Sequence, residues 1–278
     1  MKIAISAEST IDLPIELLEK YNIHTIPFRV LLGDQEFEDG KIEPTDIFKY
    51  VKENKVLPKT SAINEFSYKE YFENLTKEYD AVVHICLSSQ ISCTHSNAEK
   101  VAKDFNNVYI IDSKTLSTGI ALLAIYACGL RNNNLSAEEI YNETSKQVEK
   151  VQASFVIDKL EYLHKGGRCS MLSLLGANIL KIHPQIMLKN GKMGVHRKYR
   201  GKMEKVVAEY CDDLLKEFSN PNLDVAFVTY TTSTEEIVAG LKEKLIAKGF
   251  KTIYETRAGA TISSHCGEQT IGVLFLNN

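Results

Sequence analysis

Through its first half the chain alternates short runs of β-branched and small apolar residues with helical patterns, which restricts it to an α/β architecture built on a parallel sheet. Lys2–Ser6 reads as a first strand, and Pro14 opens a helix through Leu17, Leu18 and Tyr21. The segment His24–Leu32 sets Ile26, Phe28 and Val30 on alternate positions, and Gly33-Asp34 then predicts a hairpin to Phe37. Helical stretches follow at Thr45–Glu53 and Phe66–Tyr79, a buried strand at Ala81–Ile85 and another at Val108–Ile111. Leu116–Leu130 carries almost no charge and predicts a helix buried on several sides. Ser136 and Glu139 form a capping box for a helix running to about Val151. In a sheet of this kind ligands gather at the carboxyl ends of the strands.

The pattern changes near residue 153, and a chain of 278 residues has the size at which one core tends to divide. Two domains are therefore expected, residues 1–152 and 153–278. The second opens on a strand at Phe155–Ile157 and the stretch LEYLHKGGRCSMLSLLGANIL, in which Gly166-Gly167 breaks a short helix ahead of Arg168. Asn190-Gly191 predicts a hairpin between Ile182–Leu188 and Met193–Tyr199. A helix over Lys202–Phe218, a strand over Val225–Tyr230, a helix capped by Ser233 with Glu236, and a terminal strand Ile271–Leu276 complete the α/β pattern.

Composition excludes several classes of function. Lys and Arg number 33 against 36 Asp and Glu, a net charge of −3, so no global basic field favours a nucleic acid. The amino terminus runs directly into a strand without a leader pattern, and no apolar run has membrane length, so a soluble cytoplasmic protein without membrane insertion is expected. The six cysteines, Cys86, Cys93, Cys128, Cys169, Cys211 and Cys266, show no C-x-x-C pair or matching histidine spacing. Reduced thiols and no metal site are expected. Cys93 and Cys266 stand apart, because both fall in polar turns.

The chemistry concentrates in LSSQISCTHSNA, residues 87–98, where the strand at Ala81–Ile85 empties into a turn carrying Ser88, Ser89, Ser92 and Thr94. Short side chains there let a ligand approach the backbone, and the free N–H groups of the next helix favour an anion. Helix capping explains one such hydroxyl but not four. The loop VLPKTSAIN, residues 56–64, adds Thr60 and Ser61 and is long enough to cover a site, although it also serves as a cap before Glu65. His265, in a Ser- and Gly-rich turn, is the candidate ligand histidine. Arg168 follows the flexible glycine pair, where a guanidinium grips an anion or a helix end.

TSAINEF, LSSQISCTHSNA, the IDS of residues 111–113, LEYLHKGGR, the Pro184 hairpin and the terminal SHCG turn fall in the order and spacing of DegV-type proteins, which the chain resembles over essentially its whole length. The resemblance implies a parallel-sheet α/β domain followed by an α/β domain with a mixed sheet, binding one long-chain fatty acid between them. It further implies a carrier, with no cofactor of its own, that presents the fatty acid carboxylate to a separate ATP-dependent fatty acid kinase and so yields acyl phosphate for lipid metabolism. By motif, the head-group contacts are Thr60, Ser61, Ser92, Thr94 and the backbone at Cys93, with His265 nearby and Arg168 as the arginine of the glycine-glycine-arginine turn. The sequence departs from the family pattern in four places. Cys93 stands where glycine is usual, Ala62-Ile63-Asn64 replace a proline-containing loop, His183 replaces lysine, and Gly267-Glu268-Gln269 replace glycine-proline-glycine.

Two other readings use the same residues. In a hydrolase, Ser92 or Cys93 is the nucleophile and His265 the base, but no nucleophile-elbow pattern accompanies them. In a phosphotransferase-like protein the hydroxyl turn holds a sugar or phosphate. Finally, Arg197, Lys198, Arg200, Lys202 and Lys205 form a basic cluster. It is either a solvated face or a docking surface for the kinase, with Arg197, Arg200 and Lys202 as the docking candidates.

Overall fold

The computed structural model describes residues 1–169 and 182–278, so the part of the LEYLHKGGRCSMLSLLGANIL stretch from Ser170 on lies outside the described residues. Strand β1 (Ile3–Glu8) is buried at every position, as a parallel strand covered on both faces must be. Pro14 caps α1 (Ile15–Tyr21), and β2 (Ile23–Ile26) returns beside β1. The single alternating strand expected over His24–Leu32 is in fact two. Pro27 lacks an N–H for the ladder, and the chain leaves the sheet at Phe28, whose N–H donates to Ser9 Oγ at 3.1 Å. Strand β3 (Arg29–Leu32) then starts a separate antiparallel sheet with β4 (Gln35–Glu38). After α2 (Pro44–Asn54), the 56–64 segment supplies β5 (Lys59–Ser61) to the other edge of β3.

Helix α3 (Glu65–Glu78), capped by Asn64, leads into β6 (Ala81–Cys86), buried at every position. Helix α4 (Thr94–Ala102), β7 (Val108–Asp112), α5 (Thr118–Asn132) and α6 (Ala137–Gln147) follow, α6 with the expected capping box. The parallel sheet has the order β2-β1-β6-β7.

From β8 (Val151–Val156) onward every strand among the described residues joins a six-stranded mixed sheet. Its elements are α7 (Leu160–Lys165), β9 (His183–Lys189), β10 (Lys192–Tyr199), α8 (Met203–Glu217), β11 (Pro221–Tyr230), α9 (Glu235–Lys248), β12 (Thr252–Arg257), α10 (Ala260–Cys266) and β13 (Ile271–Asn277). The strand order is β10-β9-β8-β13-β11-β12. Asn190 and Gly191 both take positive φ, 51° and 80°, which the two-residue turn between β9 and β10 requires. The cap of α9 is Thr234 rather than Ser233: Thr234 is the extended residue, and its hydroxyl accepts from Ile237 N–H three positions on. Among the described residues no helix is long and apolar enough to cross a membrane.

Among the polar ties between the halves, two stand on α5 and α10. Thr118 at the start of α5 shares a hydrogen bond with Thr229 of β11 at 2.6 Å, and Thr229 another with Thr256 of β12 at 2.9 Å, all buried. The second tie holds α10, where the sequence suggested a turn. Asp12 Oδ1 accepts from Gly259 N–H and Asp39 Oδ1 from Ala260 N–H, each at 2.8 Å, so carboxylates from the first half cap a helix of the second. Ser263 and Ser264 bond back to Ala258 and Ala260 carbonyls, so the serine-rich sequence is spent inside the helix. Burial pushes the Asp12 carboxyl well up from its ordinary range, and the neighbouring Asp39 adds to the rise.

Asp39→Ala should lower stability by about 1 to 3 kcal/mol, because it leaves the buried Ala260 N–H without an acceptor. Calorimetry should record a fall in Tm of several degrees, with Asp39→Asn milder. A Tm equal to that of the unaltered chain would mean that α10 is held by other contacts.

Candidate functional site

Strand β6 ends at a buried carboxylate that sequence reading did not single out. Glu8, at the end of the adjacent β1, accepts from Leu87 N–H and, at 2.7 Å, from Tyr68 O–H, so it fixes the point where β6 turns outward. Burial raises its pKa against the lowering effect of those bonds. The turn that follows divides its hydroxyls by task. Ser88 Oγ donates to the Gly191 carbonyl at 2.8 Å, tying the turn to the β9–β10 hairpin, and Ser89 donates to Asp112 Oδ2 at 2.6 Å. Ser92 Oγ accepts from Thr94 N–H at 3.3 Å and lies on the wall of a cavity.

That cavity has a volume of about 520 Å³, within the range of small-molecule sites, and opens between the two halves. Phe28, Leu87, Leu116, Met193 and Ile262 give it an apolar wall. A small hollow of about 30 Å³ adjoins it, sharing Leu116, Ile262 and Cys266 and lined also by Phe155 and Leu274. The polar end gathers Thr60, Ser92, Cys93, Arg168 and His265 from four separate segments of the chain.

Two of the expected contacts are not on the cavity wall. Ser61 follows Thr60 in β5, so its side chain takes the opposite face of the strand and is exposed. Thr94 is fully buried, and its hydroxyl meets Tyr68 O–H at 2.7 Å within the Glu8 network. Thr261 does line the cavity and was not anticipated. Its signal was available: Thr261 and His265 are four apart and share a helix face, but the segment read as a turn. Cys266 likewise ends α10 instead of a polar turn, and burial pushes its thiol up to about 12.

His265 Nε2 shares a hydrogen bond of 2.8 Å with Thr60 Oγ1, which closes the polar end across the two halves. Loss of water, and then the Arg168 charge, lower its pKa to about 4, so the imidazole is neutral at neutral pH. Gly166 is needed beneath it: a Cβ there would lie 2.7 Å from His265 Nδ1 and 2.9 Å from the Tyr162 carbonyl. Arg168 is exposed, and its Nη1 donates to the Gly166 carbonyl at 2.7 Å, which holds the cation at the mouth. The arrangement offers hydroxyls, a neutral imidazole and one guanidinium to an anion whose remainder is apolar.

Glu8, His84 and Cys86 bring one donor atom each within 4.8 Å of one another. Both Glu8 oxygens and His84 Nδ1 already have protein partners, Ser6 for the histidine at 2.8 Å. Burial lowers His84 to about 3 and raises Cys86, so the cluster reads as packed polar core.

A family model described as uncharacterised proteins of the DegV family matches residues 2–278. A fatty acid-binding protein of Thermotoga maritima is 30% identical over 284 residues, covering 98% of this chain and 96% of that protein. Protein DegV of Bacillus subtilis is 31% identical over 280 residues, covering 99% of each. Among solved structures, a fatty-acid-binding DegV family protein from Thermus thermophilus superposes with a TM-score of 0.92 at 26% identity over 100% of both chains. The structure of the Bacillus subtilis DegV, described as a fatty acid binding protein, gives 0.87 at 28% identity, again over 100% of both chains.

His265 sets a pH dependence of known sign. Its folded pKa, about 4, lies below the ordinary 6.5, so the unfolded chain takes up the proton first as pH falls. Its stabilising contribution should be complete above pH 6.5 and lost toward pH 4. Urea unfolding of the unaltered chain and His265→Gln across this window should give a stability difference that shrinks with acid. His84 and His24 have the same sign, but they cancel in the difference. A difference independent of pH would place the imidazole in water.

Proposed function

This chain belongs to the DegV family, and on that premise we propose that it binds one long-chain fatty acid with the carboxylate at Thr60, Ser92, the Cys93 backbone and His265, Arg168 standing at the mouth. The observation that carries the reading is the union of a nearly neutral polar end with an apolar wall, beside which a second small hollow is lined almost wholly by apolar surface. Each CH₂ removed from water contributes about 0.8 kcal/mol, so the tail supplies most of the affinity and the head needs only donors. Residues 1–152 and 153–278 are, in this reading, two units that close on the ligand.

The fatty acid is then presented to a separate ATP-dependent kinase, and the product is an acyl phosphate. The carboxylate lies beside the exposed Arg168, where a partner reaches it without the tail leaving the apolar wall. The basic cluster supports docking only in part. Arg197 is held by Asp213 at 3.2 Å and Glu217 at 2.8 Å, and Lys205 faces Glu209 at 3.5 Å. Lys198, Arg200 and Lys202 are exposed and have no ion pair among the described residues, so they are the cluster's cations open to an acidic partner, with Arg200 and Lys202 the docking candidates among them. The hydrolase reading is less well supported, because His265 Nε2 is engaged with Thr60 and not with Ser92, and its low pKa makes it a poor base at neutral pH.

Denaturing extraction of the purified protein followed by lipid mass spectrometry should yield one long-chain acid per chain; protein that stays lipid-free and hydrolyses esters in a Ser92-dependent way would instead favour the hydrolase. Ser92→Ala and Thr60→Val should each weaken retention by several-fold to about tenfold, the worth of one neutral hydrogen bond. Arg200→Ala combined with Lys202→Ala should slow acyl phosphate formation by a cognate kinase, and lessen its salt dependence, with fatty acid binding preserved. Rates equal to the unaltered chain at both low and moderate salt would return these cations to the solvated face.

A further inference from the structure

Of the six thiols, five are buried and Cys93 alone is exposed. Cys93 also lies on the wall of the cavity, beside Ser92 and at the same end as Arg168 and His265. Two buried polar atoms of that end, Thr261 Oγ1 and His265 Nδ1, have no hydrogen-bond partner among the described residues. Thr261 is only 3% exposed, so its hydroxyl has no ready access to water and lacks a partner that a bound polar group would supply. Cys93 is the N-cap residue of α4, and the amides of a helix's first turn have no intrahelical partners, so they favour negative charge developing beside them. An exposed thiol thus meets a polar end with unfilled hydrogen-bonding capacity at the mouth of an apolar cavity.

From this juxtaposition we propose that Cys93 is an acyl acceptor: its sulfur takes the acyl group from a long-chain acyl phosphate held in the cavity and keeps the lipid on the protein as a thioester. The inference rests on the fatty acid reading above. A free carboxylate does not react with a thiol, so the site is silent until the acid is activated. In an acyl phosphate the carbonyl carbon carries a phosphate leaving group, and the thiolate attacks it. The Sγ–C bond forms, the C–O bond to phosphorus breaks, and inorganic phosphate departs, the thiol proton passing to it or to water. No oxidant or reductant takes part.

The test uses the full-length protein, stripped of lipid and mixed either with a synthetic saturated long-chain acyl phosphate or with the corresponding free acid. Intact-mass spectrometry under denaturing conditions reads the covalent adduct, peptide mapping locates it, and neutral hydroxylamine identifies a thioester. The expected result is one acyl group on the Cys93 peptide, removed by hydroxylamine, absent with the free acid and lost in Cys93→Ala. Cys93→Gly serves as a second variant if the alanine form fails to fold. Consumption of the acyl phosphate with no adduct overturns the proposal, as does an adduct spread over lysines or one that resists hydroxylamine. Non-covalent retention of the free acid, measured in the same preparation, separates the two ideas. Retention without a thioester overturns this inference alone, and loss of both overturns the fatty acid reading with it.

Discussion

The site depends on two carboxylates that end up in the wrong half of the chain. Asp12 and Asp39 accept the first N–H groups of α10, a helix of seven residues too short to be stable by itself. Thr261, Ile262, His265 and Cys266 all ride on that helix, so the second half's share of the cavity is positioned by the first half. Asp12 is in turn held by Ser117 Oγ, whose residue accepts a left-handed φ of 52° to reach it. The strained serine, the carboxylates and the helix form one device. None of its parts has a reason to adopt its conformation without the others.

A second constraint is electrical. The polar end of the cavity carries one exposed guanidinium and otherwise neutral donors, because His265 is kept unprotonated by loss of water and by Arg168 itself. Full positive charge deep in the site would attract any small anion. Neutral donors discriminate less by charge and leave selection to the apolar wall, where chain length and shape are read. The cation at the mouth then serves orientation more than affinity.

Much of this was legible in the sequence, and the failures have a common cause. The β-branched run before the hydroxyl turn, the Asn190-Gly191 hairpin and the Ser136 capping box are local signals, and the fold honours each. The misreadings fall where a distant group overrides local preference. A Ser- and Gly-rich segment reads as a turn until Asp12 and Asp39 cap it into a helix. Thr94 reads as a ligand hydroxyl until Tyr68, brought over by α3, takes its hydrogen bond. Ser61 required only strand alternation to be set aside, but β5 has just three residues and gave no pattern to detect. The pairing of Thr60 with His265 spans 205 residues of sequence, and only the resemblance to a family suggested it.

The buried row Thr118, Thr229 and Thr256 bears on how the halves can move. Apolar faces slide over one another by fractions of an ångström at little cost, because dispersion is non-directional. Hydroxyls in a dry interface do not: each O–H must point at its neighbour, and a small offset leaves it with nothing else to meet. The row therefore indexes α5 against β11 and β12, as a dowel indexes two plates. A shift of α5 along β11 or β12 therefore breaks this row before it disturbs the apolar contacts around it.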